Sequence, residues 1–150
     1  MGWARRIVPP GWFLLAVLAA LALHHWLPLT QLWGLPLRWL AILLTLAGLI
    51  FAVSGLGAFK RARTPVIPFK PSTSLVTTGV YRFTRNPMYL GLTLILAGAA
   101  GWLGSLGALL PLPLFVWIME RGYVRPEERF LEDIFGTHYL RYKSDVRRWL

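Results

Sequence analysis

Four long apolar runs, separated by segments that hold nearly every cation of the chain, leave few folds open to this sequence. The runs cover about residues 11–29, 37–59, 88–103 and 106–119. A helix needs roughly 20 apolar residues to cross a bilayer, and the first two runs meet that length. Hydrophobic residues make up 56% of the 150 and charged residues only 15%, too apolar for a soluble domain of this size. The spacing predicts an all-α polytopic membrane protein, a single membrane domain over residues 1–150 with about four transmembrane helices. The last two runs, joined by Gly104-Ser105, are short. They form either a tight crossing hairpin or a re-entrant pair. Pro111 and Pro113 are expected to bend or break the fourth run. Gly48, Ala52 and Gly55 fall at i, i+4 and i+7 and put a small-residue face on the second helix, suited to close packing in lipid.

Charge orients the chain. Of the 16 Lys and Arg, 15 lie in the N-terminal segment, the loop 60–87 or the tail 120–150; only Arg38 lies opposite. With four passes the positive-inside rule places both termini and the large loop in the cytoplasm. The expected location is the inner membrane of a bacterium. The net charge of +10 points to membrane lipids of an anionic leaflet and not to nucleic acid, because the cations sit between apolar runs. Met1 to Arg6 and the run after it superficially resemble a signal peptide. No clear small-residue cleavage site follows, so the segment reads as a retained first span. Pro65, Pro68 and Pro71 argue against regular helix in the loop. Nothing in the sequence sets an oligomeric state.

The tail holds all six acidic residues. Pro126 suits the first turn of a new helix, with Glu127 and Glu128 behind it and Gly136 as its end. Beyond it, Tyr139, Tyr142, Val146 and Trp149 alternate with Arg141, Lys143, Arg147 and Arg148. That pattern predicts an amphipathic helix lying on an anionic membrane surface.

The chain has no cysteine, which excludes a disulfide framework, a thiolate nucleophile and a Cys-based metal site. His24 and His25 are adjacent and point to different helix faces, so they read as interfacial residues and not as metal ligands. No Walker loop, GxGxxG, GxSxG or HExxH occurs. The chemistry concentrates where the third run begins. Asn86 suits an N-cap and Pro87 the first helical position, so a helix starts there with its positive dipole end towards the loop. The hairpin brings that start towards Arg125, Glu127 and Glu128. Arg82 and Arg85, with Tyr81 and Tyr89, complete a mixed-charge constellation suited to a zwitterionic, hydrogen-bonding cofactor. A plainer reading has the two glutamates complement a helix N-terminus and pair with Arg125 or Arg129. Likewise, the tyrosines could be an ordinary interfacial belt.

At these residues the sequence resembles the isoprenylcysteine carboxyl methyltransferase family and its relatives, the phospholipid N-methyltransferases. Their Arg-His-Pro-x-Tyr-x-Gly reads here Arg85-Asn86-Pro87-Met88-Tyr89-Leu90-Gly91, and their arginine before Glu-Glu reads Arg125-Pro126-Glu127-Glu128. Leu75 to Arg82 resembles the segment before the motif, and Phe135-Gly136-Thr137-His138-Tyr139-Leu140-Arg141-Tyr142 the tail after it. The likeness covers residues 64 to 149 or so. It implies S-adenosylmethionine as methyl donor, bound without a Rossmann domain. By carry-over the donor contacts Ser74, Leu75, Val76, Tyr81, Asn86, Pro87, Met88, Tyr89 and Glu127, with Arg125 and Glu128 on the acceptor side. No catalytic residue is assigned, since methyl transfer depends mainly on holding donor and acceptor in line. The family's common histidine is Asn86 here, which can bind but cannot take a proton near neutral pH. The resemblance therefore implies transfer to a carboxyl or thiol of a lipophilic acceptor. Phospholipid N-methylation and a non-catalytic adaptor retaining the fold stand as alternatives.

Overall fold

The structure is a computed structural model that describes residues 7–32, 34–64 and 74–150. Helices account for its regular structure, and the only β-type pairing among the described residues is an isolated bridge between Gln31 and Ser105. The expectations for Met1–Arg6 and for Pro65, Pro68 and Pro71 lie outside the described residues.

Two helices set the frame, α2 (Leu35–Arg61) and α3 (Pro87–Leu103). α2 has 27 residues and, among the described residues, is the one helix long and apolar enough to cross a membrane. α3, with 17 residues, is a shorter apolar helix of about 25 Å. They cross closely because small residues meet. A Cβ on Gly48 would lie 2.6 Å from the Gly91 carbonyl oxygen, and one on Gly91 would lie 2.7 Å from the Gly48 oxygen and 2.8 Å from Ala52 Cβ. At Gly55 an added Cβ would meet Met88 at 2.9 Å. Thus the small-residue face of Gly48, Ala52 and Gly55 is the seat of α3. Gly91→Ala is expected to cost about 1–3 kcal/mol, as overpacking between two backbones does. Gly101→Ala, whose Cβ would meet nothing closer than 3.4 Å, should cost far less. Thermal unfolding in detergent, read for both variants, checks the contrast.

α1 (Pro9–Trp26) packs across α3 and across α4 (Leu106–Leu109) and α5 (Pro111–Met119). Beyond Pro9 at its start, its buried residues are the small Ala16 and Ala20, whereas Leu14, Leu15, Leu18 and Leu21 are exposed. α2 repeats the pattern, with Ala41, Gly48, Gly55 and Ala58 buried and Leu43, Leu46, Ile50 and Val53 exposed. Between α3 and α4, Gly104 adopts the left-handed conformation (φ 70°) that a side chain resists, and ends α3. This turn is pinned to the α1–α2 connection. The Leu32 N–H donates to the Gly104 oxygen (2.6 Å), Leu106 to Thr30 (2.9 Å) and Gly107 to Pro28 (3.1 Å). His24 Nδ1 lies 2.9 Å from Ser105 Oγ at the same end. The hairpin tip therefore lies level with the far ends of α1 and α2. The fourth run breaks at Leu110, and Pro111 and Pro113 occupy the first turn of α5, where a missing N–H costs nothing.

The tail departs from expectation in two places. Pro126 does lie in the first turn of a helix, but that helix is not separate from the one before it. α5 continues through a π-helical turn, Glu120–Val124, into α6 (Arg125–Phe135), without a non-helical cap. A proline crowds the carbonyl four residues back, here Gly122. The wider π turn contains that residue and lets the helix run on. After Gly136 comes α7 (Thr137–Asp145), but its aromatic face is not laid on a membrane. Tyr139 and Tyr142 are buried against Ala58, Val76 and Tyr81. Val146 is already extended, and Trp149 packs on the α1–α3–α5 core. Burial of two rings, with the Tyr142 hydroxyl donating to the Tyr81 carbonyl at 2.7 Å, satisfies this face inside the protein.

Candidate active site

The start of α3 is held by the end of the chain. The Arg85 N–H donates to the Arg147 carbonyl (3.0 Å). Thr84 Oγ1 and Asn86 Nδ2 both donate to the Arg148 carbonyl, at 3.1 and 3.0 Å. Asn86 therefore sits at the N-cap position of α3 without capping it through its side chain. The expected cap is corrected here: the extended tail offers the amide an acceptor that a helix start lacks. The first-turn N–H groups of Met88 and Tyr89 have no side-chain cap, and both residues line a cavity.

That cavity, of about 50 Å³, gathers most of the residues singled out in the sequence. Ser74, Leu75, Val76, Tyr81, Asn86, Met88, Tyr89 and Glu127 all line it. Pro87 does not; it is buried behind the site, facing Gly55 of α2. Tyr81 and Tyr89 are buried at 5% and 7% exposure, so neither belongs to an interfacial belt. Tyr89, in the first turn of α3, donates its hydroxyl to Glu127 Oε2 at 2.9 Å. This bond ties the helix start to α6 across the mouth of the hairpin. Burial raises the Glu127 carboxyl above its ordinary value; the Tyr89 hydrogen bond partly offsets this, and the nearby Glu128 charge adds to it. Burial likewise pushes the Tyr81 hydroxyl well up, with the Glu127 charge second, so it stays protonated.

The adjacent carboxylate has another role. Glu128 also borders the cavity and is 4% exposed, but arginines take its oxygens. Arg148 Nη2 lies 2.7 Å away, with Nε at 3.1 and 3.2 Å, and Arg85 Nη2 is at 3.2 Å. The bond to Glu128 raises the Arg148 guanidinium above its usual value. Arg125, expected on the acceptor side, is absent from the cavity wall and pairs with Glu120 at 2.7 Å, half exposed. That hydrogen bond holds the Glu120 carboxyl below its ordinary range. Arg82 is exposed on the other side of its loop. The mixed-charge constellation thus divides into one cavity carboxylate, one buried ion cluster, a surface Arg125–Glu120 pair joined to that cluster through Arg148 Nη1 at 3.4 Å, and one outlying arginine.

Residues 36–138 match the model of a family described as phospholipid methyltransferase. The chain belongs to that family. The match includes the end of α2, the start of α3 and the Glu127–Glu128 pair. Similarity also extends to the protein-S-isoprenylcysteine O-methyltransferase of Schizosaccharomyces pombe, 32% identical over 72 residues, which is 48% of this chain and 30% of that protein. The protein-S-isoprenylcysteine O-methyltransferase A of Arabidopsis thaliana is 32% identical over 80 residues, 53% of this chain and 41% of that one. The chain thus aligns with less than half the length of these two methyltransferases. An uncharacterized protein of Haemophilus influenzae is 44% identical over 63 residues, 42% of this chain and all of that protein. No solved structure matches the chain.

Phospholipid methyltransferase family membership makes methyl transfer the chemistry against which the cavity is read. Phe59, Leu131, Tyr139 and Tyr142 also line it, and the sequence reading left them out of the site. For the two tail tyrosines the signal was the Phe-Gly-x-x-Tyr-x-x-Tyr likeness, outweighed by the amphipathic pattern. Arg148 carried no local signal, since the glutamates its side chain meets lie 20 and 28 residues away; Thr84 accepts locally from the Asn86 N–H, but the carbonyl it donates to lies 64 residues away.

Proposed function

We propose that the chain is an integral membrane methyltransferase that uses S-adenosylmethionine and acts on a lipophilic acceptor where membrane meets cytoplasm. Glu127 carries this reading. Among the described residues it is the carboxylate that lines the cavity without an arginine partner. A half-buried carboxylate held by one tyrosine hydroxyl and no cation is poorly compensated, and a cationic, zwitterionic cofactor compensates it. The donor set fits. Glu127 would hold an ammonium or ribose hydroxyl group, the uncapped N–H groups of Met88 and Tyr89 a carboxylate, and Tyr81 and Tyr89 the faces of flat or cationic groups. The bound cofactor supplies an electrophilic methyl group on sulfonium.

Volume adds a condition. Ligand pockets for molecules of this size hold about 300–1,000 Å³, against about 50 Å³ here. The wall formed by Ser74 to Val76 therefore has to yield on binding. Among the described residues its one side-chain hydrogen bond to the end of α2 is long, from Ser74 Oγ to the Ala62 oxygen at 3.4 Å, and Val76 packs with Ala58. With Asn86 bonded to a backbone carbonyl and Glu128 ion-paired, only Glu127 is left to accept a proton. An acceptor that is already a carboxylate or thiolate needs little help from such a base. This supports O- or S-methylation over transfer to a phospholipid amine.

In our reading the chain crosses the membrane four times, with both termini cytoplasmic, in a bacterial inner membrane. The outward leucines of α1 and α2, the small residues between helices and the hairpin tip level with the α1–α2 connection support it. The demethylated cofactor should stabilise the detergent-purified protein by about 3 kcal/mol at a hundred times its dissociation constant. A thermal-shift titration measures this, and no shift at millimolar ligand would favour a non-catalytic adaptor. Lipid extracts labelled from a methyl-labelled donor separate the acceptor classes.

A further inference from the structure

A second polar site lies on the opposite side of the loop that carries Tyr81. The 3₁₀ turn Gly79–Arg82 turns Tyr81 inwards to the cavity, while Arg82 and the following Phe83 face out. Outside, Ser54 and Arg61 of α2 with Gly79, Val80, Arg82 and Phe83 line an open groove of about 720 Å³. It shares no lining residue with the cavity of Glu127. Neither Arg61 nor Arg82 has an ion-pair partner among the described residues. Phe83 is 70% exposed beside them, so the groove pairs two cations with an apolar ring.

The groove has the profile of a phospholipid. On one face of α2, Arg61 stands at the end of the helix, Ser54 seven residues before it, then Ile50 and Leu43, which are 63% and 62% exposed. Seven residues of helix are about 10 Å, enough to cross the headgroup region of one leaflet, about 5–8 Å. Cations therefore stand at headgroup level, a hydroxyl at the ester level and leucine-type side chains along the acyl chain. Guanidinium groups bind phosphate oxygens in a bidentate fork, and Phe83 can enter the interface beside them. We infer that this groove binds one anionic phospholipid of the leaflet on the cavity side, as a bound ligand and not as methyl acceptor. The inference rests on α2 being a membrane helix, as proposed above. Because Tyr81 and Arg82 are consecutive, a lipid seated on Arg82 also steadies the turn that forms one wall of the cavity.

The test uses the full chain in detergent, titrated with dioleoyl phosphatidylglycerol or dioleoyl phosphatidylcholine and read by native mass spectrometry. One phosphatidylglycerol should be retained, bound roughly tenfold tighter than phosphatidylcholine. The double variant Arg61→Gln/Arg82→Gln should lose that preference. Arg129→Gln/Arg141→Gln, which removes the same charge from exposed tail positions, should keep it. Equal binding of the two lipids, an unaffected groove variant, or equal loss in the tail variant would each overturn the proposal. All four replaced side chains are exposed, and the melting temperature of each variant without lipid reports that it is folded. Failure of the membrane reading shows separately, as release of the chain from membranes by alkaline extraction. Failure of the cofactor reading shows as no response to the demethylated cofactor, with lipid binding intact.

Discussion

Glu127→Gln is expected to raise the stability of the ligand-free protein while weakening cofactor binding roughly tenfold to a hundredfold. The two effects have one origin. Glu127 lies where burial disfavours its charged form, and the neighbouring Glu128 charge opposes it further. Its folded pKa is raised above the unfolded value, so the folded state holds the proton more tightly. Ionisation of Glu127 therefore opposes folding at neutral pH, and the penalty fades as pH falls through the raised pKa towards the ordinary carboxylate value of about 4.3. Glutamine keeps the size, and its carbonyl can still accept the Tyr89 hydroxyl, but it carries no charge to bury. Melting temperatures in detergent should thus be higher for Glu127→Gln near pH 8, by roughly 2–4 °C for each kcal/mol gained. They should converge with wild type as the pH falls towards the ordinary carboxylate value, about 4.3. Titration with the demethylated cofactor should show the loss of affinity. A variant less stable than wild type at pH 8, or one that binds as tightly, would refute the assignment of Glu127 as the functional carboxylate. Functional sites commonly oppose stability in this way.

The larger loss of stability is expected one residue further on. Glu128→Ala should cost about 3–5 kcal/mol, because it leaves a buried guanidinium without its counter-charge. The Arg85 and Glu128 side chains are 8% and 6% exposed, and Arg85 Nε already lacks a hydrogen-bond partner. The same glutamate anchors Arg148, whose carbonyl receives Thr84 and Asn86. Removing it therefore loosens the tail from the start of α3 as well. Arg125→Ala, by contrast, breaks a pair that is 43% and 24% exposed and should cost no more than about 1 kcal/mol. Unfolding of both variants by heat in detergent ranks them. Replacing both buried partners with apolar residues, as in Glu128→Leu/Arg85→Met, should recover much of the loss, since the harm lies in the unpaired charge. Equal costs for Glu128→Ala and Arg125→Ala would contradict the burial argument.

Much of this protein follows from local rules. Apolar length marked the long helices to within a few residues: 37–59 was read where Leu35–Arg61 forms, and 88–103 where Pro87–Leu103 forms. Asn86-Pro87 placed the start of α3, Gly104-Ser105 its turn, and Gly136 the end of α6. Each depends on a backbone conformation or a missing donor that one or two residues decide. The spacing of Gly48, Ala52 and Gly55 also disclosed the α2–α3 seat, because a helix face is periodic and its partner needs only small side chains.

Tertiary structure alone divided the charges. Glu127 and Glu128 are neighbours on α6, about 100° apart around the axis, and their spacing treats them alike; only the family resemblance gave them different roles, and it did not foresee the ion cluster. Packing turns one into the cavity under Tyr89 and the other between Arg85 and Arg148. The same holds for Asn86, whose local propensity suits a cap but whose amide is drawn to a carbonyl 62 residues away. Tyr139 and Tyr142 have a spacing that serves a membrane surface or a protein core equally well; the neighbouring Tyr81 decided for the core. Amphipathic spacing shows that a face will be buried, not against what, and a charged residue shows that a partner is needed, not which. Those choices depend on contacts between residues tens of positions apart, which exist only once the helices have packed.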